Sequence, residues 1–521
     1  MSQPLSRLMA AAHLPPVLPG VSPETIPVSA LTADSRAVRP GTLFAALPGS
    51  HADGRSFIAA AVQAGACAIL APPGTAWPQG TPPRPLLECE NPRRALALMA
   101  AALAGPQPAH LAAITGTNGK TSTADFMRQL WALQGFSASA IGTLGLTGAN
   151  PTGLRLPSLT TPDPVTLAQT LATLEQAGVH HVALEASSHG LEQGRLDGLH
   201  LSAAGFSNLT RDHLDYHGTL DAYRQAKLRL LRDILPPGGL VAANADMDSH
   251  TLDAIRDIAR ARNLCLRLVG EQGDTLRLLA HRAVPHGQEL HLSCAGQLHT
   301  LTLALPGRFQ ADNALLAAAL AAEDDADLST MLALLPSLKG VRGRMERAAV
   351  LPNGASAYVD YAHTPDALAR LLASLRPHAL GRLVVVFGAG GDRDRGKRPL
   401  MGQEAAAGAD LAIITDDNPR TENAAAIRAA VRAGAPDALE IADRRSAIAE
   451  ALSLLGPGDV LVVAGKGHEQ GQIVGDTVLP FDDASVIRSL TGTETATLNG
   501  EEVASGSRHA HSPARKETDQ T

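Results

Sequence analysis

An α/β fold in three domains is what this sequence predicts, and three observations carry that prediction. The chain has 521 residues, more than one compact core accommodates. From His110 to about Leu335, strand-like runs alternate with helical ones, the pattern of a sheet layered with helices. That segment opens with a short apolar run, a glycine loop, a lysine and a helix, Ile114 to Leu133, which makes it a P-loop-type parallel sheet. Beyond a second linker, Pro336-Ser337-Leu338-Lys339-Gly340, three runs rich in β-branched residues follow: Leu383 to Phe387, Leu411 to Thr415 and Val460 to Ala464. Each passes into a polar loop, as in open Rossmann-like sheets that bind ligands beyond the carboxyl ends of their strands.

The resulting division is an N-terminal domain at 1–107, a central domain at 108–338 and a C-terminal domain at 339–495. The first is a series of short segments punctuated by Pro and Gly, ending at Gly105-Pro106-Gln107-Pro108. Residues 496–521 are polar and aperiodic, and are expected to be a disordered tail.

Composition removes several function classes. A net charge of −7 with scattered Lys and Arg leaves no basic footprint for nucleic acid. No run of about 18 apolar residues exists to span a membrane, and the N-terminus lacks the apolar core of a signal peptide. Cys67, Cys89, Cys265 and Cys294 show no metal or disulfide spacing, so they read as buried free thiols in a reducing, cytoplasmic setting.

The stretch Ile114-Thr115-Gly116-Thr117-Asn118-Gly119-Lys120-Thr121-Ser122 carries the most chemistry. Glycines let backbone N–H groups close on phosphate oxygens, and the following helix adds partial positive charge at its N-terminus. Lys120 would reach the β- and γ-phosphates of a nucleotide triphosphate, and the Thr121 hydroxyl could ligate Mg²⁺. The usual pattern has glycine where Ile114 stands, so this is a variant form, unlike that of ordinary GTPases or small-molecule kinases.

Six other segments bear on the chemistry. Val182 to Leu184 is an apolar run leading to Glu185-Ala186-Ser187-Ser188-His189, and a carboxylate at such a strand end is placed to hold Mg²⁺. Asn208 to Gly218 packs His213, His217, Asp212 and Asp215 into one loop, which favours a metal or phosphate role. Gly388-Ala389-Gly390-Gly391-Asp392-Arg393 resembles a dinucleotide fingerprint, but Arg393 occupies the place of its third glycine. With Asp417-Asn418-Pro419-Arg420 and Gly465-Lys466-Gly467-His468-Glu469, it offers guanidinium, amide, carboxylate and bare backbone, an inventory suited to a zwitterionic amino acid. Lys227, in the helical stretch from Tyr223, reads from its residues alone as a surface lysine.

Taken together, these segments resemble the Mur ligases, and among them the members that add diaminopimelate. The resemblance runs from about Asp34 to Glu469. It also rests on Asp34-Ser35-Arg36 with Pro40-Gly41, Thr160-Thr161-Pro162, Gly343-Arg344-Met345-Glu346 and Asp360-Tyr361-Ala362-His363-Thr364-Pro365. Folylpolyglutamate synthetases share the loop and the modified lysine, but the Asp417 and Asp34 segments speak against them. A lysine-adding ligase is disfavoured by Arg420, and a non-catalytic nucleotide-binding regulator by Glu185, His213 and Lys227 together.

The resemblance implies a set of roles. The first domain would hold a UDP-sugar near Ser35 and Ser50-His51-Ala52. Thr160, Thr161, Ser187, Gln193 and Arg195 would contact the rest of a muramoyl dipeptide. Gly116 to Ser122 would hold the ATP phosphates, while Asn313, Arg344, Asp360 and His363 would meet the nucleotide. Arg393, Asp417, Asn418, Pro419, Arg420, Gly465 and Glu469 would recognise diaminopimelate. Lys227 would be carbamylated and would share Mg²⁺ with Thr121, Glu185 and His213. The implied reaction makes an acyl phosphate on the D-glutamate side chain of UDP-N-acetylmuramoyl-L-alanyl-D-glutamate, which the diaminopimelate amine then attacks. The chain is expected to act as a monomer in peptidoglycan precursor synthesis. Leu159 departs from the family, where a polar residue can stand.

Overall fold

In a computed structural model, residues 2–15, 22–49, 52–156, 159–284 and 286–492 are described. Ser50, His51 and the 496–521 tail lie outside them. The fold is mixed α/β with parallel sheets. Three sheets account for most of the strands among the described residues.

The first sheet runs β1 (Ala30–Thr32), β2 (Thr42–Ala45), β3 (Ala66–Ala71) and β4 (Leu86–Glu88), all parallel. Every residue of β2 is buried, as expected where both faces of a parallel sheet are covered. Helix α1 (Pro92–Ala104) starts with proline at its first turn and an Asn91 side chain accepting from the Arg94 N–H, a standard N-terminal cap.

The central sheet has ten strands. In chain order they are β5 (His110–Thr115), β6 (Ala138–Gly142), β7 (Gly145–Gly148), β8 (His181–Glu185), β9 (Ala203–Phe206), β10 (Leu240–Asn244), β11 (Cys265–Gly270), β12 (Leu276–Val284), β13 (Gly287–Cys294) and β14 (Gln297–Leu303). Across the sheet they lie β14-β13-β12-β11-β10-β9-β5-β8-β6-β7. Strand β5 pairs in parallel with β8 on one side and β9 on the other, so its carboxyl end is the place where the strand order reverses and a crevice opens. The antiparallel β12–β13–β14 edge is a feature the alternating helix–strand reading of this segment did not foresee. Helices α2 (Lys120–Leu133) and α3 (Pro164–Gln176) cover opposite faces: Phe126, Met127 and Leu130 enter one aliphatic core and Leu167, Leu171 and Leu174 the other.

The third sheet comprises β15 (Glu346–Val350), β16 (Ser356–Asp360), β17 (Leu383–Phe387), β18 (Leu411–Ile414), β19 (Leu439–Glu440) and β20 (Val460–Ala464), in the order β15-β16-β20-β17-β18-β19. The three β-branched runs are its fully or nearly fully buried centre. A hairpin, β21 (Gly471–Val474) with β22 (Thr477–Pro480), follows.

The thiols correct one expectation. All four are free, but Cys294 alone is buried; Cys67 and Cys89 are half-buried and Cys265 is exposed. Cys265 is the first residue of β11, whose last four residues are buried, and Cys89 lies just past the end of β4.

Candidate active site

The glycine loop after β5 is built almost wholly from backbone. Gly116 and Gly119 have φ of 141° and 86°, where side-chained residues are strained. A β-carbon would also fall 2.0 Å from Ser207 Oγ at Gly116 and 2.3 Å from Asn313 Oδ1 at Gly119. The loop is tied to the end of β9: Thr117 N donates to Asn208 O at 2.9 Å, Asn118 N to Asn208 Oδ1 at 2.9 Å, and Ser207 Oγ to Asn118 O at 2.6 Å. Thr121 and Ser122 are buried in the first turn of α2, and Asn313, from helix α6 (Arg308–Ala321), is buried against the loop.

Two lysines meet at this loop. Lys120 Nζ donates to Gly116 O at 3.0 Å and Thr117 O at 2.8 Å. Lys227, on helix α5 (Leu220–Arg229), donates to the same Gly116 oxygen at 2.8 Å. Its residue is 1% exposed, which overturns the surface reading: the α5 face bearing Tyr223 and Lys227 packs inward, with the ammonium 4.4 Å from the Tyr223 ring centre. Burial lowers the Lys120 pKa; Arg344 adds to this, while Glu185 and Asp212 oppose it. Lys227 is lowered further, by burial first and then by the charge of Lys120.

Glu185 ends β8 in register with Ile114. Its carboxylate accepts from Thr143 N at 2.8 Å and Thr143 Oγ1 at 3.3 Å, and Thr143 Oγ1 lies 3.1 Å from Thr160 Oγ1. Thr161 Oγ1 donates to Glu185 O and to Ser187 Oγ at 2.9 and 3.0 Å, and Arg195 reaches both Thr161 O and Gln193 Oε1, at 2.6 and 2.8 Å. One network thus joins Glu185, Thr160, Thr161, Ser187, Gln193 and Arg195. His213 sits at φ 50°, half-exposed, with Nε2 3.6 Å from Asp212 Oδ2. His217 instead faces Ser188 and Glu192. Both rings still pack against His189, with centroids 5.1 and 5.5 Å away, and against Tyr223, but among the described residues no three His, Cys, Asp or Glu side chains converge on a cation position. Ser35 and Ala52 lie in the first domain, away from these contacts. Leu159 is exposed.

Across the cleft, Asp360 ends β16 and accepts from Met345 N at 2.7 Å and Ala362 N at 2.9 Å. Burial raises its pKa, against the pull of Arg344. The Arg344 guanidinium lies 4.6 Å from the Tyr361 ring centre, and its buried Nε has no hydrogen-bond partner among the described residues. An unpaired buried donor is costly and marks a place for a ligand acceptor. His363, its pKa lowered by burial, contacts Tyr361 O, and Lys397, the first residue of helix α7 (Lys397–Gly408), donates to His363 O at 2.9 Å.

The Asp417–Arg420 loop is held by side chains and by the β21–β22 hairpin. Asn418 Oδ1 accepts from the fully buried Lys466 Nζ and from Ile473 N, both at 2.9 Å, while its Nδ2 donates to Glu469 Oε2 at 2.9 Å. Arg420 N donates to Ile473 O and Gly475 N to Arg420 O. Arg420 Nη1 reaches Gly391 O at 2.8 Å. Asp417 Oδ2 would meet a β-carbon on Gly465 at 2.8 Å, so the Gly465 and Asp417 loops touch. Pro419 carries the turn, and Arg393 contacts its neighbour Asp392 O. Most of Asn418's amide is used internally, so it positions Glu469 as much as it faces a ligand. Lys466 has no role in the expectations from sequence, although a lysine one glycine past a fully buried strand is a signal for one. Thr143 and Lys397 carried no such signal.

Family models match along the chain: Mur ligase family, catalytic domain at 27–104; Mur ligase middle domain at 114–321; and Mur ligase, glutamate ligase domain at 343–467. A curated protein of Caulobacter vibrioides, named UDP-N-acetylmuramoyl-L-alanyl-D-glutamate–2,6-diaminopimelate ligase, is 51% identical over 90% of this chain and 96% of its own length. The chain belongs to the Mur ligase family. A Bradyrhizobium diazoefficiens protein of the same name is 50% identical over 90% of this chain and 96% of its own. Among solved Mur ligases, a structure described by that name superposes with a TM-score of 0.70 at 32% identity, covering 94% of this chain and 99% of the other. Like the rest of its family, the chain is an amide-bond-forming ligase.

Proposed function

We propose that this chain joins meso-2,6-diaminopimelate to the D-glutamate of UDP-N-acetylmuramoyl-L-alanyl-D-glutamate, consuming ATP with Mg²⁺ during cytoplasmic peptidoglycan precursor synthesis. The observation that carries the reading is the meeting, at the Gly116 loop, of half-buried Lys120 and buried Lys227, with Arg344 of the third segment near enough to act on Lys120. The names of relatives about half identical to it support the same acceptor. Among the described residues no helix is long and apolar enough to cross a membrane, in keeping with water-soluble substrates. The roles assigned to the three segments, 1–107 for the UDP-sugar, 108–338 for ATP and 339–495 for the amino acid, belong to this proposal.

In the first step an oxygen of the D-glutamate side-chain carboxylate bonds to the γ-phosphorus of ATP, and the bond to the β-phosphate oxygen breaks. ADP leaves and an acyl phosphate remains. Lys120 exchanges its loop carbonyls for phosphate oxygens, and Arg344 offers its unpaired Nε from the other side. Little covalent chemistry falls to the protein, so positioning and charge stabilisation dominate. In the second step an amine of diaminopimelate, deprotonated, attacks the acyl carbon and phosphate leaves. Asp417 and Glu469 face ammonium groups, while Arg393 and Arg420 face carboxylates. A lysine acceptor lacks one of those carboxylates and leaves the half-buried Arg420 or the exposed Arg393 one partner short.

Lys227 has the property carbamylation requires. Burial and Lys120 disfavour its charged form, so the neutral amine can add to CO₂, losing a proton as the N–C bond forms. Mg²⁺ takes hard oxygen ligands from one or two carboxylates together with substrate phosphates and water. The Glu185 carboxylate, the Thr121 hydroxyl and a carbamate on Lys227 suit such a sparse set, with His213 beside them. When bound, the ion neutralises phosphate charge.

The test is ADP release with the muramoyl dipeptide and a panel of amino acids. Release should depend on diaminopimelate and be far slower with lysine. Equal rates with lysine, or release that ignores the amino acid, would overturn the assignment.

A further inference from the structure

Arg444 opens helix α8 (Arg444–Ser453) and its side chain is completely buried, as is that of Asp483 on helix α9 (Asp483–Thr491). The pair is bidentate: Nε to Oδ1 at 2.7 Å and Nη2 to Oδ2 at 2.8 Å. The guanidinium has donors left over, and it spends them on two loops. Nη2 donates to Ala464 O at 3.0 Å and Nη1 to Asp416 O at 3.5 Å. Ala464 ends β20 immediately before Gly465, and Asp416 lies immediately before Asp417.

A buried ion pair is a poor source of stability, because desolvation offsets most of the attraction and apolar pairs often replace it without loss. Its presence beside a core of Ala, Val, Ile and Leu calls for another reason. The planar fork supplies one: lysine could satisfy Asp483 but could not also span two strand-end carbonyls. Burial works against the Arg444 charge, Asp483 outweighs it, and the charges of Asp417 and Glu469 act in the same direction as Asp483. The same guanidinium thus faces, from behind, the two acids expected to meet the amino-acid substrate.

We infer that Arg444, oriented by Asp483, is a positioning residue that fixes the spacing between the Asp417–Arg420 and Gly465–Glu469 loops, and thereby the fit of the amino-acid substrate. This rests on the reading that those loops form the amino-acid site. It predicts a specific kinetic signature, because the phosphate loop lies on another sheet. In Arg444→Met/Asp483→Leu, which leaves no lone buried charge, the amino-acid KM should rise about tenfold or more, since displacements near 1 Å at a substrate can cost up to about 100-fold. The ATP KM and the KM for the muramoyl dipeptide should stay within about twofold, well below that effect. Arg444→Lys, which keeps the charge opposite Asp483, should show the same split and serves if the double variant does not fold.

An unchanged amino-acid KM in a folded variant, or equal increases in all three KM values, would overturn the inference. The wild-type protein in the same assay separates the two claims. If it responds to a different amino acid, the diaminopimelate reading falls, and the Arg444 comparison is made on the KM of that amino acid.

Discussion

The loop at Gly116 and the loop at Asp417 each cap the carboxyl end of a parallel strand, yet they are held in different ways. The first leans on its own backbone: positive φ at two glycines, close approaches that exclude a β-carbon, and loop N–H and C=O groups tied to Asn208 O, Asn208 Oδ1 and Ser207 Oγ just past β9. The second is fixed by side chains reached from far along the chain, Lys466, Glu469, Arg444 and the hairpin backbone at Ile473. Backbone-built loops suit a ligand with the same geometry in every relative, such as a phosphate. Side-chain-built loops can be retuned one contact at a time, which suits a site that must choose between similar amino acids.

Substitutions should break this comparison in different directions. The largest effect is expected for Lys227→Ala, which removes the buried amine at Gly116 and should cut ADP release by at least about 100-fold. Added acetate should restore part of it by replacing the lost carboxylate-like oxygens; full activity without acetate would remove the carbamate. Arg420→Ala comes next. Loss of a charged hydrogen-bonding partner costs about 1.5–3 kcal/mol, so the diaminopimelate KM should rise by roughly 10–100-fold while the ATP KM barely moves. Equal shifts in both would erase the division of labour between the loops.

The smallest effect concerns Glu422, just past Arg420. Hydrogen bonds from Arg398, and then from the Asp392 N–H, bring its pKa down to about 2. A carboxyl lowered on folding stabilises the native state above its unfolded pKa, and that contribution fades as pH falls through the folded value. Glu422→Gln should therefore have a slightly lower Tm than wild type near neutral pH, and the gap should close between about pH 4.5 and 2. A gap independent of pH would show that Glu422 is not working as an ion.

The same contrast explains what could be read from the sequence. The strand expected at Leu111–Ile114 is His110–Thr115, and the runs at 383–387 and 460–464 coincide with β17 and β20. Apolar runs and glycine spacing are local signals. Lys227 was misread without the family resemblance because its burial depends on α5 packing against a loop 111 residues away. Arg444 and Asp483 are 39 residues apart, and nothing local distinguishes them from surface charges. That the described His and Asp residues of 208–218 form no cation position was equally hidden: adjacency in a sequence is no guide to which way each side chain turns.

One carbonyl oxygen, that of Gly116, accepts from the amines of both Lys120 and Lys227 when neither is modified and no nucleotide is bound. Burial chiefly lowers the pKa of both, with Arg344 adding to the effect at Lys120 and Lys120 adding to it at Lys227. A triphosphate that draws Lys120 away gives it anionic partners and restores its hold on the proton. Nucleotide binding is then thermodynamically linked to proton uptake, and affinity rises as pH falls through the range where the free lysines titrate. Calorimetry in two buffers of different ionisation enthalpy would register that uptake, and identical heats in both would speak against it.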